Sequence, residues 1–462
     1  MSDYRIEEDT LGAVKIPIDA MWGAQTQRSL NNFSTGEKMP LEIIKALLQI
    51  KKAAAIANKE AQAITGTKAD LIVQAIDELL KLDDSELRKD FPLVIYQTGS
   101  GTQTNMNVNE VVSHVAQKID PEIEILPNDD VNHGQSSNDI FPTAMNITAA
   151  MSVVELEKAV KHLIEVLRKK EIKYWKVVKI GRTHLQDATP LTFGQEVSGW
   201  VSMLEHDLNF LEQLNQTLSE LAIGGTAVGT GLNAADGFSD RIAEEMTQVY
   251  RHDFTADTNK FYGLAAHSGL NVVHGAIKTL ASDLMKIAND VRFLASGPRS
   301  GYGELNIPAN EPGSSIMPGK VNPTQAEAIT MAATKVMGND VTINVASSQG
   351  NFEMNVYKPV IISSFLESST LLTGTIMGFA DKMIAGLTVN ESRMQELVDQ
   401  SLMTVTALSP HIGYHQSAEI AQQAQRDGMT LKESAVKSGM VTAEQFDQWV
   451  VPIDMTNINK GK

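Results

Sequence analysis

The apolar positions of this chain fall into long series at helical spacing. Val153, Leu156, Val160, Leu163 and Leu167 step by three and four. Val197, Val201, Leu204, Leu208, Leu211, Leu214, Leu218 and Leu221 keep similar spacing. Leu270, Val273, Ile277, Leu280, Leu284, Ile287, Val291 and Leu294 do so without a slip. Ile329, Ala333, Val336 and Ile343 form a weaker series, and Ile362, Phe365, Leu372, Ile376, Phe379 and Met383 another. This spacing predicts five long helices, each with one apolar seam. Such seams pack at shallow angles in a bundle. At about 1.5 Å per residue, a helix of about 25 residues spans roughly 40 Å. Rods of that length expose long flanks in a monomer, which association in a symmetric oligomer would cover.

The rest of the chain is more broken. Residues 1 to 40 read as irregular with short extended pieces, interrupted by Gly12, Pro17, Gly23, Gly36 and Pro40. Leu41–Ala63 and Ala69–Leu82 carry helical spacing, and a further helix is expected from Asn109. Pro142 suits the first turn of the next one. After Gly386 the pattern shortens into several small helices, with breaks at Pro410, Gly413, Gly428, Gly439 and Pro452. The strand signal is poor throughout. The expected class is mainly α, divided into 1–136, 137–389 with the long helices, and a small helical region at 390–462.

Composition narrows the function. The chain has 462 residues, more than one hydrophobic core usually serves. It has no cysteine, which excludes disulfides, thiolate nucleophiles and cysteine-held clusters. A net charge of −17 argues against a nucleic-acid partner. No apolar run is expected to reach the length of a membrane span, and Met1-Ser2-Asp3-Tyr4-Arg5 does not read as a signal peptide. A cytoplasmic protein with no membrane partner is therefore expected.

Four polar clusters stand out against this background. They are Gly99–Asn107, Asn132–Asp139, Gly181–Asp187 and Ser314–Asn322, each read as a loop followed closely by a helix start. Free amides at a helix N-terminus suit a carboxylate or phosphate. The plainer reading is capping by Ser, Thr, Asn and Asp. Asn322-Pro323-Thr324-Gln325 fits it well, with a capping asparagine, proline at the first helical position and glutamine at the capping-box position. Capping does not account for Lys320, and an irregular segment as long as Gly297–Pro323 is usually functional or disordered. His184 is the acid/base candidate by type, and Glu327 could orient a histidine. Asn128-Asp129-Asp130 with His133 offers only loose metal-ligand spacing, so no metal is assigned. Gly99-Ser-Gly-Thr lacks the dinucleotide spacing.

Taken together, these motifs are similar to a known family. Gly313-Ser-Ser-Ile-Met-Pro-Gly-Lys-Val-Asn-Pro resembles the signature loop of the fumarase/aspartase superfamily. The resemblance continues through Gly23-Ala-Gln-Thr-Gln-Arg-Ser, Gly99-Ser-Gly-Thr-Gln-Thr-Asn-Met-Asn, Gln135-Ser-Ser-Asn-Asp, Gly181-Arg-Thr-His-Leu-Gln-Asp-Ala-Thr-Pro-Leu and Leu408-Ser-Pro-His-Ile-Gly-Tyr. His184 and Gly319 match the fumarase branch, where ammonia-lyases typically carry Gln and Ala. Gln103 points the same way.

The resemblance implies a three-domain fold whose central bundle of long helices forms a tetrameric core. It implies reversible hydration of fumarate to L-malate without metal or organic cofactor, in active sites each assembled from three chains of a homotetramer. Residue by residue, it implies Ser314 as the base at C3, and His184 with Glu327 for the proton on the leaving water. Lys320 and Asn322 would receive the charge of a doubly negative aci-carboxylate, for which preorganised donors are needed. Ser100, Thr102, Ser136, Ser137, Asn138, Thr183 and Ser315 would hold the substrate. A second anion site would fall at Leu126, Pro127, Asn128 and Asp129. There Leu126 replaces the family's usual histidine and removes a donor or cation. His133-Gly134 is a second departure, ahead of Gln135. The alternatives are an aspartase-like ammonia-lyase and a catalytically silent helical scaffold, which would not require Ser314, Lys320 or His184. As a catalytic loop, Gly313–Gly319 is expected to be more mobile than the long helices without ligand. B-factors in an unliganded crystal check this, and uniformly low values through the loop would count against it.

Overall fold

The computed structural model describes residues 4–458. The readings attached to Met1–Asp3 and Asn459–Lys462 lie outside the described residues. The described chain is mainly helical, with small two-stranded sheets. The five long helices are present as Ser137–Lys173, Phe193–Asn215, Ser268–Leu294, Thr324–Ser347 and Lys358–Phe379. Every residue of the Leu270–Leu294 series is buried, and so are Val153, Leu156, Val160, Leu163 and Leu167. Burial of such a seam, more than helix propensity, is what holds long helices together. One series outlasts its helix. After Asn215 the chain passes through a 3-10 turn, Gln216–Leu218, into a short strand, Glu220–Leu221. Leu218 and Leu221 stay buried there.

By their contacts the residues form two compact units. One holds the chain up to Glu157 with Asn209–Thr279 and Thr334–Leu371; the other holds Lys158–Leu208, Leu280–Ala333 and the chain from Leu372. Each long helix contributes residues to both. In the first unit, Leu41–Glu60 packs on Gly66–Lys81 and on Thr102–Ile119. In the second, the short C-terminal helices close over their own core of Leu408, Ile420, Leu431, Ala435, Val441 and Phe446. Two of those helices start with full capping boxes, Thr430 with Glu433 and Thr442 with Gln445.

Several expectations need correction. The N-terminal stretch is not irregular throughout: Tyr4–Asp9 pairs with Gly12–Pro17 in an antiparallel hairpin, and Ala24–Asn32 is a helix. The buried Glu110 carboxylate accepts the Gly23, Gln25 and Thr26 amides and so caps that helix from a distant segment. The helix expected from Asn109 begins at Thr102. Pro142 lies inside its helix, which starts at Ser137. In both cases polar residues that look like a loop already occupy the first helical turn. The strand signal also missed a hairpin at Val178–Thr183 and Gln186–Thr192. Finally, Lys358–Ile384 is long and apolar enough to cross a membrane by length and composition. Its scattered Ser and Thr residues hide a mean hydropathy of 1.4, and half of its apolar window is buried in the fold.

Lys358 opens that helix and is fully buried. Its Nζ lies 2.9 Å from Met354 Sδ and 3.2 Å from the Asn355 carbonyl. Burial pushes its ammonium down to about 7. Burial does the same to Lys51, also to about 7. Unfolded lysines keep their protons to about pH 10.4. Between about pH 7 and 10 the unfolded chain therefore binds more protons, and stability rises with pH. Lys358→Met is expected to flatten that rise, by at most about 1.4 kcal/mol per pH unit. Urea unfolding at several pH values checks this, and an unchanged slope would refute it.

Candidate active site

In the first unit, three hydroxyls form a chain. Ser100 Oγ lies 2.9 Å from Thr102 Oγ1, which lies 2.8 Å from Ser137 Oγ. Backbone geometry brings them together. Gly101 caps the Thr102–Ile119 helix at φ +83°, and a Cβ there would meet the Phe141 ring at 2.4 Å. Gly99 is tighter still, since its Cβ would sit 1.4 Å from the Val356 carbonyl oxygen. Thr102 and Ser137 each open a helix, so their hydroxyls lie among free amides.

The neighbouring turn is held from inside. Asp139 is fully buried and accepts from the amides of Ser136 at 2.9 Å, Gly224 at 2.8 Å and Thr226 at 3.0 Å. Burial nevertheless raises its carboxyl above the usual range, outweighing those bonds. Asn138 donates from Nδ2 to the Ala227 carbonyl at 2.7 Å. An open cavity of about 950 Å³ adjoins this turn, lined in part by Lys68, Asn128, His133, Gln135, Ser136 and Asn233.

The residues of the expected second anion site lie at a π-helical turn, Pro127–Val131. The amide of Leu126 donates to Asp130 Oδ2 at 2.7 Å, and Lys68 Nζ holds the same carboxylate at 2.8 Å. His133 Nδ1 lies 3.0 Å from the Asp129 carbonyl. Among the described residues, no group of three or more His, Asp or Glu is placed to hold a metal ion.

The second unit carries the other candidates. Thr183 and His184 sit at the tip of the Val178–Thr183/Gln186–Thr192 hairpin, not ahead of a helix as expected. His184 and Leu185 both adopt left-handed backbone, φ 57° and 60°, as a tight two-residue hairpin turn requires. The His184 ring is exposed. Among the described residues it makes no hydrogen bond to Glu327, which lies half-buried in the first turn of the Thr324–Ser347 helix. The hairpin is anchored by buried charges that the motifs did not disclose. Glu304, fully buried, bonds Arg182 and lies 3.2 Å from Lys179 Nζ. Lys179 also reaches Glu196 at 3.1 Å, and the Arg182 guanidinium lies 4.3 Å from the centre of the Tyr302 ring.

The Gly313–Pro323 loop is irregular, as expected, and its exposed tip includes Ser315, Ile316, Met317 and Lys320. Gly313 donates to the Lys320 carbonyl at 2.9 Å, closing the loop on itself. Asn322 does not cap the following helix: its Nδ2 donates to the Gly313 carbonyl at 2.7 Å. Ser314 Oγ accepts from the amides of Met317 at 3.1 Å and Ile316 at 3.3 Å. Two amides aimed at one hydroxyl oxygen stabilise negative charge there. Among the described residues, no carboxylate pairs with Lys320.

Residues 12–338 match the family model described as lyase, and residues 405–457 match that of the fumarase C C-terminus. A class II fumarate hydratase of Listeria monocytogenes is 57% identical over 98% of this chain and 100% of its own length. One from Bacillus subtilis is 53% identical over 98% and 99%. The chain belongs to the class II fumarate hydratase family. The crystal structure of a class II fumarase from Schistosoma mansoni superposes with a TM-score of 0.94 at 44% identity, covering 98% of this chain and 99% of that one. The mainly α fumarase/aspartase-like fold with a central bundle of long helices is therefore the fold observed. As a fumarate hydratase the protein is a lyase, and its reaction is the reversible hydration of fumarate.

In this fumarase the buried Glu304 carboxylate holds both cations of the hairpin, Lys179 and Arg182. Glu304→Ala leaves Lys179 and Arg182 facing a buried gap. Breaking such a pair costs about 3–5 kcal/mol. Urea unfolding is expected to show a loss of that size, whereas a loss below about 1 kcal/mol would mean the network is not holding the hairpin.

Proposed function

We propose that this fumarase interconverts fumarate and L-malate by proton transfer at C3, with Ser314 as the base. The observation that carries this reading is the pair of backbone amides at Ser314 Oγ. A free serine is a poor base, and amides at its oxygen stabilise the alkoxide it must become. The alkoxide takes the C3 proton of malate, and the electron pair moves into the adjacent carboxylate. That aci-carboxylate carries two negative charges, received by Lys320 and Asn322. The C2 hydroxyl then leaves as water, with His184 handling its proton and Glu327 behind it. Ser100, Thr102, Ser136, Ser137, Asn138, Thr183 and Ser315 hold the two substrate carboxylates and the water. No step calls for a metal or organic cofactor.

The working form we infer is a homotetramer with sites shared between chains. Within one chain His184 and Glu327 are unpaired with each other, and the long helices expose Met331, Val341, Val345 and Phe293. Exposed apolar side chains along helices suit burial against further copies. Other chains would bring the Ser100–Ser137, His184 and Ser314–Glu327 groups together. The three domains fall at 1–136, 137–389 and 390–462. The proposed setting is cytoplasmic, within the citric acid cycle. The Leu126–Asp129 segment is a weakened second anion site, since the Asp130 carboxylate already takes the Leu126 amide.

The test is absorbance of the fumarate double bond, with malate and aspartate assayed side by side. Turnover of malate without ammonia release from aspartate is expected. Ser314→Ala is expected to lower kcat by about 10²–10⁴-fold with the fold intact by circular dichroism. Full activity in that variant would overturn the base assignment alone.

A further inference from the structure

We propose that Lys51 is a positioning residue for the hydration reaction: it locks the Asn132–Asn138 turn and balances the charge of Asp139 behind it. The inference rests on the reading of Ser136, Ser137 and Asn138 as substrate-binding residues. Lys51 belongs to the Leu41–Glu60 helix and to none of the family motifs. Its side chain is 0% exposed, which is rare for a lysine and calls for partners.

The partners are amide oxygens. Lys51 Nζ donates to Asn132 Oδ1 and to Gln135 Oε1, both at 2.8 Å. Asn132 Oδ1 also accepts from Asn105 Nδ2 and Asn109 Nδ2, each at 3.1 Å. Asn132 Nδ2 donates to the Gln135 carbonyl at 3.1 Å, and Gln135 Nε2 to the Val131 and His133 carbonyls at 3.2 and 3.1 Å. An ammonium only donates, so both amide oxygens must face it. Their NH₂ groups then face the backbone of the turn. One cation thereby sets the conformation of Asn132–Gln135, and Ser136 follows directly.

Asp139 closes the other end. Its carboxylate takes the Ser136 amide and the amides of Gly224 and Thr226. Among the described residues, Asp139 is the charged group that acts on Lys51, while Asp139 itself acts on two lysines, Lys51 and, from the Lys260–Ala265 helix, Lys260. Asn105, Asn109, Asn132 and Gln135, which face Lys51 from the other segments, are neutral. A dicarboxylate held at Ser136–Asn138 would meet a less balanced negative charge if Lys51 were neutral, with Lys260 left as the other cation. With Lys51 in place, the turn offers hydroxyls and amides over a compensated pair. Charge balance of this kind acts on binding in both directions of the reaction, so it appears in KM more than in kcat.

The experiment compares purified full-length wild type, Lys51→Met, Asp139→Asn, the double variant and Ser137→Ala. KM and kcat are measured for fumarate and malate from pH 6 to 9, with thermal melts alongside. Lys51→Met is expected to raise KM about tenfold, with kcat within about threefold. The rise should be largest near pH 6, where wild-type Lys51 carries its charge, and shrink toward pH 9 as that ammonium loses its proton. Adding Asp139→Asn should recover part of the lost affinity and flatten the profile. An unchanged KM in Lys51→Met, or a double variant no better than the single one, overturns the proposal. A purely structural lysine would lower the melting temperature without that pH-dependent KM. If Lys51→Met does not fold, Asn132→Asp gives the second test. Its carboxylate neutralises the ammonium in place and gives up the bond to the Gln135 carbonyl, so the same rise in KM is expected; no rise overturns the proposal. Ser137→Ala separates the two layers of argument. If it leaves KM unchanged, the reading of the turn fails. If it raises KM while Lys51→Met does not, only the role of Lys51 fails.

Discussion

Hydrogen bonding that closes within each long helix is the constraint on which the rest of the structure depends. Inside a helix every backbone group finds its partner four residues away, so the only further demand is burial of one apolar stripe. At the ends that economy stops, and amides are left free. The candidate chemistry lies at these interruptions. Thr102 and Ser137 open helices, Glu327 lies one turn into another, and the Ser314 loop precedes it. The seam thus does two things. It holds the rods together, and it leaves the polar chemistry to the places where the ladder is unfinished.

Behind these interruptions lie buried ions. Lys51 and Asp139 stand behind the Ser136–Asn138 turn. Glu304, Lys179 and Arg182 stand behind the His184 hairpin. A buried ion is a poor source of net stability but a strict geometric constraint, because any arrangement that strands it is costly. Both groups sit in support of residues that must point one way and no other. The loop at Ser314 is the exception. Its order comes from backbone and amide contacts within itself, which suits a segment expected to move.

Much of this was legible in the chain. The Leu270–Leu294 series marked its helix within two residues, because a full apolar stripe admits one periodicity. The family motifs named the candidate residues. The failures have physical causes. Ser137–Asp139 and Thr102–Asn107 read as loops because Ser, Thr, Asn and Asp compete with the helix ladder in isolation. Here their side chains are engaged by partners distant in sequence, such as Gly224 for Asp139. The Val178–Thr192 hairpin was missed because its strands do not alternate cleanly: Ile180 and Gly181 are both buried across a register shift. Lys51 left one trace. It stands four residues after Leu47 and four before Ala55, on the apolar stripe itself, where a lysine has no reason to be without a buried partner.

The contact at Gly99 reaches beyond this site. The space where its side chain would stand is already filled by the Val356 carbonyl, and the Gly99 carbonyl accepts the Lys358 amide at 3.1 Å. Two segments some 250 residues apart are therefore fitted to each other main chain to main chain, with no rotamer to absorb a misfit. For recombination between homologues this makes 98–102 and 354–358 a single heritable block. A single crossover between them takes the two segments from different parents, and is tolerated only where the parents' backbones coincide there closely.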